Sequence, residues 1–246
     1  MSLQRAVQSP KCISKRSPAN YFGIIASLHC SHQCDQETGG WHQIINEQHG
    51  SRRKKSCLSQ LLEHQDEILR MLEHGGNVDV IYTDFEKAYE KVSHEKLLDK
   101  MKNKYGIQGK LWEWLKNFLF ERKQQVLIEE TKSEESAVIS GAVQGSVLGP
   151  VFFLMFIGDI TEDIEANTKL FVDDAKVKDL IETEEDVEKL QESMNKLYEW
   201  ERNNQMKFNG SKFQLLRYGP KEDIKNNTMY FTGEMEEVIV NRVLFT

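Results

Sequence analysis

Two short apolar runs that end in carboxylates constrain this chain more than any bulk property. Residues 80–84 read VIYTD and residues 170–174 read LFVDD. Aspartate is a poor strand former, and adjacent like charges repel. Runs with Asp84, Asp173 and Asp174 at their ends therefore need a fold that matches the charge. If the two runs are neighbours in one sheet, three carboxylates converge. Such a cluster raises the pKa of its members unless divalent cations hold them ionised. Mg²⁺ takes carboxylate oxygens and bridges substrate phosphates, and two ions about 3.5–4 Å apart clamp the attacking and leaving oxygens of a phosphoryl transfer. The same spacing also fits a solvated hairpin turn without metal.

The rest of the chain has room for such a sheet. Its 246 residues, 39% hydrophobic, suffice for one ordinary domain or one with an appendage. No apolar run approaches the roughly 20 residues that span a bilayer, and no signal peptide is visible. Cys12, Cys30, Cys34 and Cys57 all lie in the first quarter. Reduced thiols in an intracellular protein, nuclear or cytoplasmic, are the simplest reading. HCSHQC, residues 29–34, lacks the second ligand pair of a zinc site. The net charge is -7, but residues 1–57 carry eight Lys/Arg against three Asp/Glu, so this segment is +5 and the remainder -12. Nucleic-acid binding is mostly a cationic effect, so it would need a local basic surface, and SRRKKS at 51–56 is the best candidate.

Periodicity predicts helices separated by β-rich runs. Residues 57–74 place Leu58, Leu61, Leu62, Ile68, Leu69 and Leu72 on one helical face, stopped by Gly75-Gly76. Further helices are expected over HEKLLDKMKNKY, over KLWEWLKNFLFER, from Pro150 onward, and over TEEDVEKLQESMNKLYEW with Thr183 as its N-cap. QQVLIEE and SAVISGAV flank TKSEE as a hairpin, and FQLLRYG and TMYFTG read as closing strands. Hairpins among helices imply an α+β fold, an antiparallel sheet with helices on one face. SGAVQGSVLGP, residues 140–150, is a glycine-rich loop in which Gln144 offers donor and acceptor; alone it fits any loop entering a helix.

The order of these segments resembles the reverse transcriptase domain of non-LTR (LINE-like) retrotransposons. The carriers are QHGSRRKKSCLSQLL, VDVIYTDFEKAYEKVSHEKLL, GIQGKLWEWLKNFL, SGAVQGSVLGPVFFLMFIGDI, KLFVDDAKV and LYEWERNNQMKFNGSKFQLLRYG. The resemblance implies a polymerase-type palm with incomplete fingers and no thumb. Residues 46–219 would be fingers and palm, 1–45 a degenerate fingers segment, and 220–246 a C-terminal remnant. It implies RNA-directed DNA polymerisation, the attack of a primer 3′-OH on a dNTP templated by RNA. Asp84, Asp173 and Asp174 would hold two Mg²⁺. Lys212 would protonate the leaving pyrophosphate. Arg52, Phe85, Tyr89, Gln144 and Gly145 would contact substrate: Arg52 the triphosphate, Tyr89 the sugar, Gln144 and Gly145 the nucleotide and template. Each has a plain alternative. Tyr89 fits a core aromatic, Arg52 and Lys54 a solvated basic face, and Lys212 an exposed lysine.

Several positions depart from the family pattern. Gly50-Ser51-Arg52 stands where the family reads Gly-Phe-Arg, and NYFGI at 20–24 where it reads NYRPI. Val143 replaces a proline, Glu90 an aspartate, and Val172 an Ala or Met. The chain is expected to lack an endonuclease domain and to stop where a thumb would begin. A second reading stays open, in which a catalytically inactive retrotransposon-derived fragment binds RNA or protein.

Overall fold

The computed structural model describes residues 5–9, 47–51, 54–143, 145–146, 148–219 and 239–243. The chain divides into two compact units, residues 1–43 with 89–156 and residues 44–88 with 157–246.

In the second unit the element order begins with helix α1 (Cys57–Glu73) and strand β2 (Asn77–Thr83), β1 (Arg5–Ser9) belonging to the other unit. A helical turn α2 (Ala88–Lys91) leads out of it. After the other unit's elements come β6 (Asn167–Phe171), β7 (Asp174–Ile181), helix α6 (Glu184–Asn204), a 3-10 turn at Gly210–Lys212, β8 (Gln214–Tyr218) and β9 (Ile239–Val243). They form a five-stranded sheet in the order β6-β7-β2-β8-β9. All pairings are antiparallel except the parallel β8–β9 pair. β9 falls where sequence periodicity gave no element, and TMYFTG lies outside the described residues.

Alternation along the strands assigns the two faces. Even-numbered residues of β2, β7 and β8 look toward α1: Ile68, Met71 and Leu72 pack on Val78 and Val80. Odd-numbered residues look the other way, where α6 buries Val187, Leu190, Met194 and Leu197, so helices lie on both faces of this sheet rather than on the one face expected. Asp179 on that side feels the charge of Asp186 in α6. α6 begins as the sequence predicts: Thr183 and Asp186 form a reciprocal capping box, and Glu184, Glu185 and Asp186 occupy the first turn. Asp79 and Arg217 are cross-strand partners, both buried, joined by two hydrogen bonds of 2.7 and 2.5 Å.

α1 corrects the expected apolar face. Its buried side chains are Gln60, His64 and Ile68, while Leu58 (65% exposed), Leu61, Leu62 and Leu69 face solvent. The reason lies in the sheet. Lys178 on β7 is fully buried and needs counter-charge, because an unpaired buried ammonium costs several kcal/mol. α1 supplies it: Lys178 donates to Glu67 at 2.5 Å and lies 3.1 Å from His64 Nδ1, and His64 Nε2 meets the Tyr82 hydroxyl at 3.1 Å. Lys169 adds a second bond to Glu67 at 3.1 Å. Burial works to raise the Glu67 carboxyl, but the two lysines outweigh it and hold it below the usual range.

The first unit contains β1 (Arg5–Ser9), α3 (His94–Asn103), α4 (Gly109–Leu119), β3 (Arg122–Ile128), β4 (Thr131–Lys132), β5 (Ser136–Val138) and α5 (Leu148–Ile157), whose last residue enters the other unit. β3 pairs antiparallel with β1, β4 and β5; the expected hairpin is present, but its tight turn falls at Glu129-Glu130, and Thr131-Lys132 of the expected connector form β4. α3 is capped by Ser93 and is followed by Gly106 at φ +65°, as expected. α5 is apolar on every side and buried from Val151 to Ile157. It is fixed at its C-terminal end, where Tyr105 and Lys100 donate to the carbonyls of Met155 and Phe156. Among the described residues no helix is long and apolar enough to cross a membrane.

Candidate active site

The LFVDDAKV run is a hairpin, with Asp173 in its turn and Asp174 at the start of the second strand. Phe171 pairs with Asp174, and Val172 and Asp173 form a two-residue turn between β6 and β7. Val172 takes φ +58°, the left-handed region that a β-branched residue rarely occupies. β2 runs antiparallel to β7, and its last pair is Thr83 with Ala175. Extending that register by one residue sets Asp84 across from Asp174. The Asp84 carbonyl accepts from the Asn209 amide at 2.8 Å, which ties it to the turn before β8. Two segments about 90 residues apart thus bring three carboxylates to one end of the sheet.

The electrostatics follow from this crowding. Burial pushes the Asp173 carboxyl up, and the charge of Asp84 adds to the push. Burial also raises Asp174, reinforced by Asp173 and Asp84. Lys212, on the 3-10 turn, donates its ammonium to Asp84 Oδ2, and that bond raises the lysine's pKa. A cleft of about 460 Å³ opens beside the cluster, lined by Tyr82, Asp84, Asp174, Lys176, Lys212 and Gln214.

The donor set suits a hard cation: carboxylate oxygens with like charges to neutralise and a cation already drawn to them. Among the described residues no three His, Cys, Asp or Glu side chains are gathered closely enough to ligate one ion as they stand. Asp84 Oδ2 is engaged by the Lys212 ammonium.

The other expected site residues fall as follows. Phe85 is buried, its ring stacked on Phe208 at 4.2 Å and near Trp200 at 5.9 Å, so the ring is committed to the core. Tyr89, in the other unit, is half-buried and stacks on Phe153 at 4.6 Å. Gly145 has φ +78° with open space where a Cβ would lie. Gln144 and Arg52 lie outside the described residues, as do Cys12, Cys30 and Cys34. The loop before Gln144 is firmly anchored: Gly141 and Ala142 donate to the carbonyls of Val92 and Tyr89 at 2.8 and 2.7 Å. His94 Nε2 meets the Gly141 carbonyl at 2.9 Å. Gly141 has φ +99°, and a Cβ there would sit 3.2 Å from the Glu90 carbonyl, so only glycine fits. Gln48 and Gly50 lie against the acidic turn, and sequence reasoning gave them no role. Their place inside QHGSRRKKSCLSQLL was the one signal available.

Known proteins resemble this chain in sequence and in fold. The profile of the family described as "Reverse transcriptase (RNA-dependent DNA polymerase)" matches residues 32–234. The chain is 26% identical over 122 residues to a probable RNA-directed DNA polymerase from transposon BS of Drosophila melanogaster, covering 48% of this chain and 13% of that protein. It is 35% identical over 79 residues to the RNA-directed DNA polymerase from mobile element jockey of the same fly, covering 32% and 8%. The chain thus spans a small part of the length of these relatives. Among solved structures, telomerase from Candida tropicalis with a fragment of telomeric RNA superposes with a TM-score of 0.59 at 11% identity, over 87% of this chain and 35% of that one. Telomerase from Candida albicans gives 0.57 at 10% identity, over 87% and 36%. At these identities the likeness is one of fold.

Proposed function

The chain belongs to the reverse transcriptase family, and on that footing we propose that it is the palm and partial fingers of an RNA-directed DNA polymerase of the LINE-like kind. It would extend a DNA primer along an RNA template from deoxynucleoside triphosphates. The observation that carries the proposal is the convergence of Asp84 with Asp173 and Asp174 from segments far apart in sequence. A structural sheet gains nothing from three carboxylates at one end, whereas nucleotidyl transfer needs them there.

Asp84, Asp173 and Asp174 would hold two Mg²⁺. The ions, when bound, neutralise charge on the reacting phosphate and on the attacking and departing oxygens. Asp173 is half-buried in the turn, and Asp174 begins β7 one residue beyond the last β2–β7 pair, Thr83 with Ala175. Lys212 keeps a proton on Nζ, held there by Asp84, and can hand it to the departing pyrophosphate. Tyr89 would sit against the sugar, and Arg52 and Gln144 would meet the triphosphate and base. The Gly141 anchor would fix the start of the Gln144 loop.

Primer extension tests the proposal. The purified chain, an RNA template, a DNA primer, deoxynucleotides and Mg²⁺ should give extended product. Asp173→Asn, which keeps size and removes one charge, should abolish it. Extension that survives Asp173→Asn, or its absence from the unmodified chain, would overturn the reading.

A further inference from the structure

The acidic turn is held in an improbable conformation by a segment that no sequence motif ties to it. Gln48 is 1% exposed, and its side-chain amide grips Val172 across 124 residues of sequence. Oε1 accepts the Val172 amide at 2.8 Å and the Gly50 amide at 2.8 Å. Nε2 donates to the Val172 carbonyl at 3.1 Å. Both polar groups of the Val172 backbone are thus bound by one neutral side chain. The segment's own backbone is docked beside β6: the His49 amide donates to the Leu170 carbonyl at 2.8 Å, and Leu170 returns a bond to Glu47 at 3.0 Å. Gly50 completes the grip by close approach. A Cβ at position 50 would fall 2.4 Å from Val172 Cγ2 and 2.5 Å from Val172 N, so residues larger than glycine would push the turn away.

We propose that Gln48, seated by Gly50, is a positioning residue that holds Val172 in its left-handed conformation and so aims the carboxylates of Asp173 and Asp174. The inference rests on the polymerase reading for its consequence in catalysis. A left-handed β-branched residue persists only where its surroundings over-determine it. Here those surroundings are the Gln48 amide and the Gly50 backbone. The residue must be an amide. A carboxylate at 48 would lack the donor for the Val172 carbonyl and would add negative charge beside an acidic cluster. An aliphatic side chain would leave a backbone donor and acceptor without partners.

Two variants and three readouts test it. Gln48→Met keeps volume and loses all three bonds; Gly50→Ala keeps the Gln48 amide but displaces the turn from it. Each is compared with the unmodified chain for Mn²⁺ affinity by electron paramagnetic resonance, for amide exchange at Val172, and for kcat and KM in primer extension. Asp173→Asn serves as the control for the carboxylate site. The expected result for both is at least tenfold weaker Mn²⁺ binding and at least tenfold lower kcat, with the KM for deoxynucleotide within about twofold. Val172 amide exchange should also speed up at least tenfold in Gln48→Met. Should Gln48→Met not fold, Gly50→Ala carries the same test. Unchanged Mn²⁺ affinity and kcat in a folded variant would overturn the positioning role while leaving the polymerase intact. If the unmodified chain extends no primer, the Mn²⁺ titration decides alone, and equal affinities overturn the inference.

Discussion

Replacing Arg217 with leucine strands a carboxylate inside the sheet. Asp79 is fully buried at the centre of β2, its two oxygens taken by Arg217 Nε and Nη2 at 2.7 and 2.5 Å. On its other side the β2–β7 register sets Asp79 against Asp179, another acid. With the guanidinium gone, nothing in that register offsets the charge. Breaking a buried pair by removing one partner costs about 3–5 kcal/mol, whereas exchanging both partners for apolar residues of similar volume is often neutral or stabilising. Arg217→Leu should therefore lose about 4 kcal/mol and Asp79→Leu a comparable amount. The double variant should lie within about 1 kcal/mol of the original chain, a coupling far above the few tenths expected of independent sites. At about 2–4 °C per kcal/mol for a domain of this size, Arg217→Leu should drop the melting temperature by roughly 10 °C, and the double variant should restore most of it. Thermal unfolding followed by circular dichroism reads both. A single variant that loses less than about 1 kcal/mol, or a double variant as unstable as the sum of the singles, would refute the reasoning.

Burial, assisted by the charge of Lys178, holds the His64 imidazole down at about 4. Above pH 6.5 it is neutral in folded and unfolded chains alike and contributes nothing. As pH falls from 6.5 toward 4 the unfolded chain takes up a proton that the fold refuses, and roughly 3 kcal/mol of stability is lost. His64→Gln should flatten the fall in melting temperature between pH 6.5 and 4.5; an unchanged slope would rule the imidazole out. Leu62→Glu, at a position 57% exposed on α1, should move stability by no more than about 0.5 kcal/mol in urea titrations. A loss of 2 kcal/mol or more would mean that this leucine is packed after all.

Local signals in the sequence were reliable where local chemistry decides structure. Thr183 with acids behind it specified the start of α6, and Gly106 marked the end of α3. The meeting of Asp84 with Asp173 and Asp174 was legible because both runs are apolar and end in acids. The face of α1 was not. Periodicity tells which residues share a side of a helix, but not that a buried Lys178 waits on the strand opposite. The Asp-Asp pair was legible as chemistry and not as shape. Phe171 and Val172 look like strand residues, and the contacts that Val172 makes with Gln48 and Gly50 are too far away in sequence for local pattern to show them. The family resemblance implied a substrate contact for Phe85. Its ring instead follows the aromatic cluster of Phe208 and Trp200, which the sequence leaves far away.

The lysine resting on the first aspartate would change how a divalent ion could reach the proposed site. Such an ion would compete for Asp84 with an ammonium that rides on the short turn ahead of β8. Loading would then be an exchange of one cation for another. The same exchange would free the Lys212 ammonium from Asp84. On the proposed reading, metal occupancy and the availability of Lys212 as an acid would be linked through a single carboxylate oxygen.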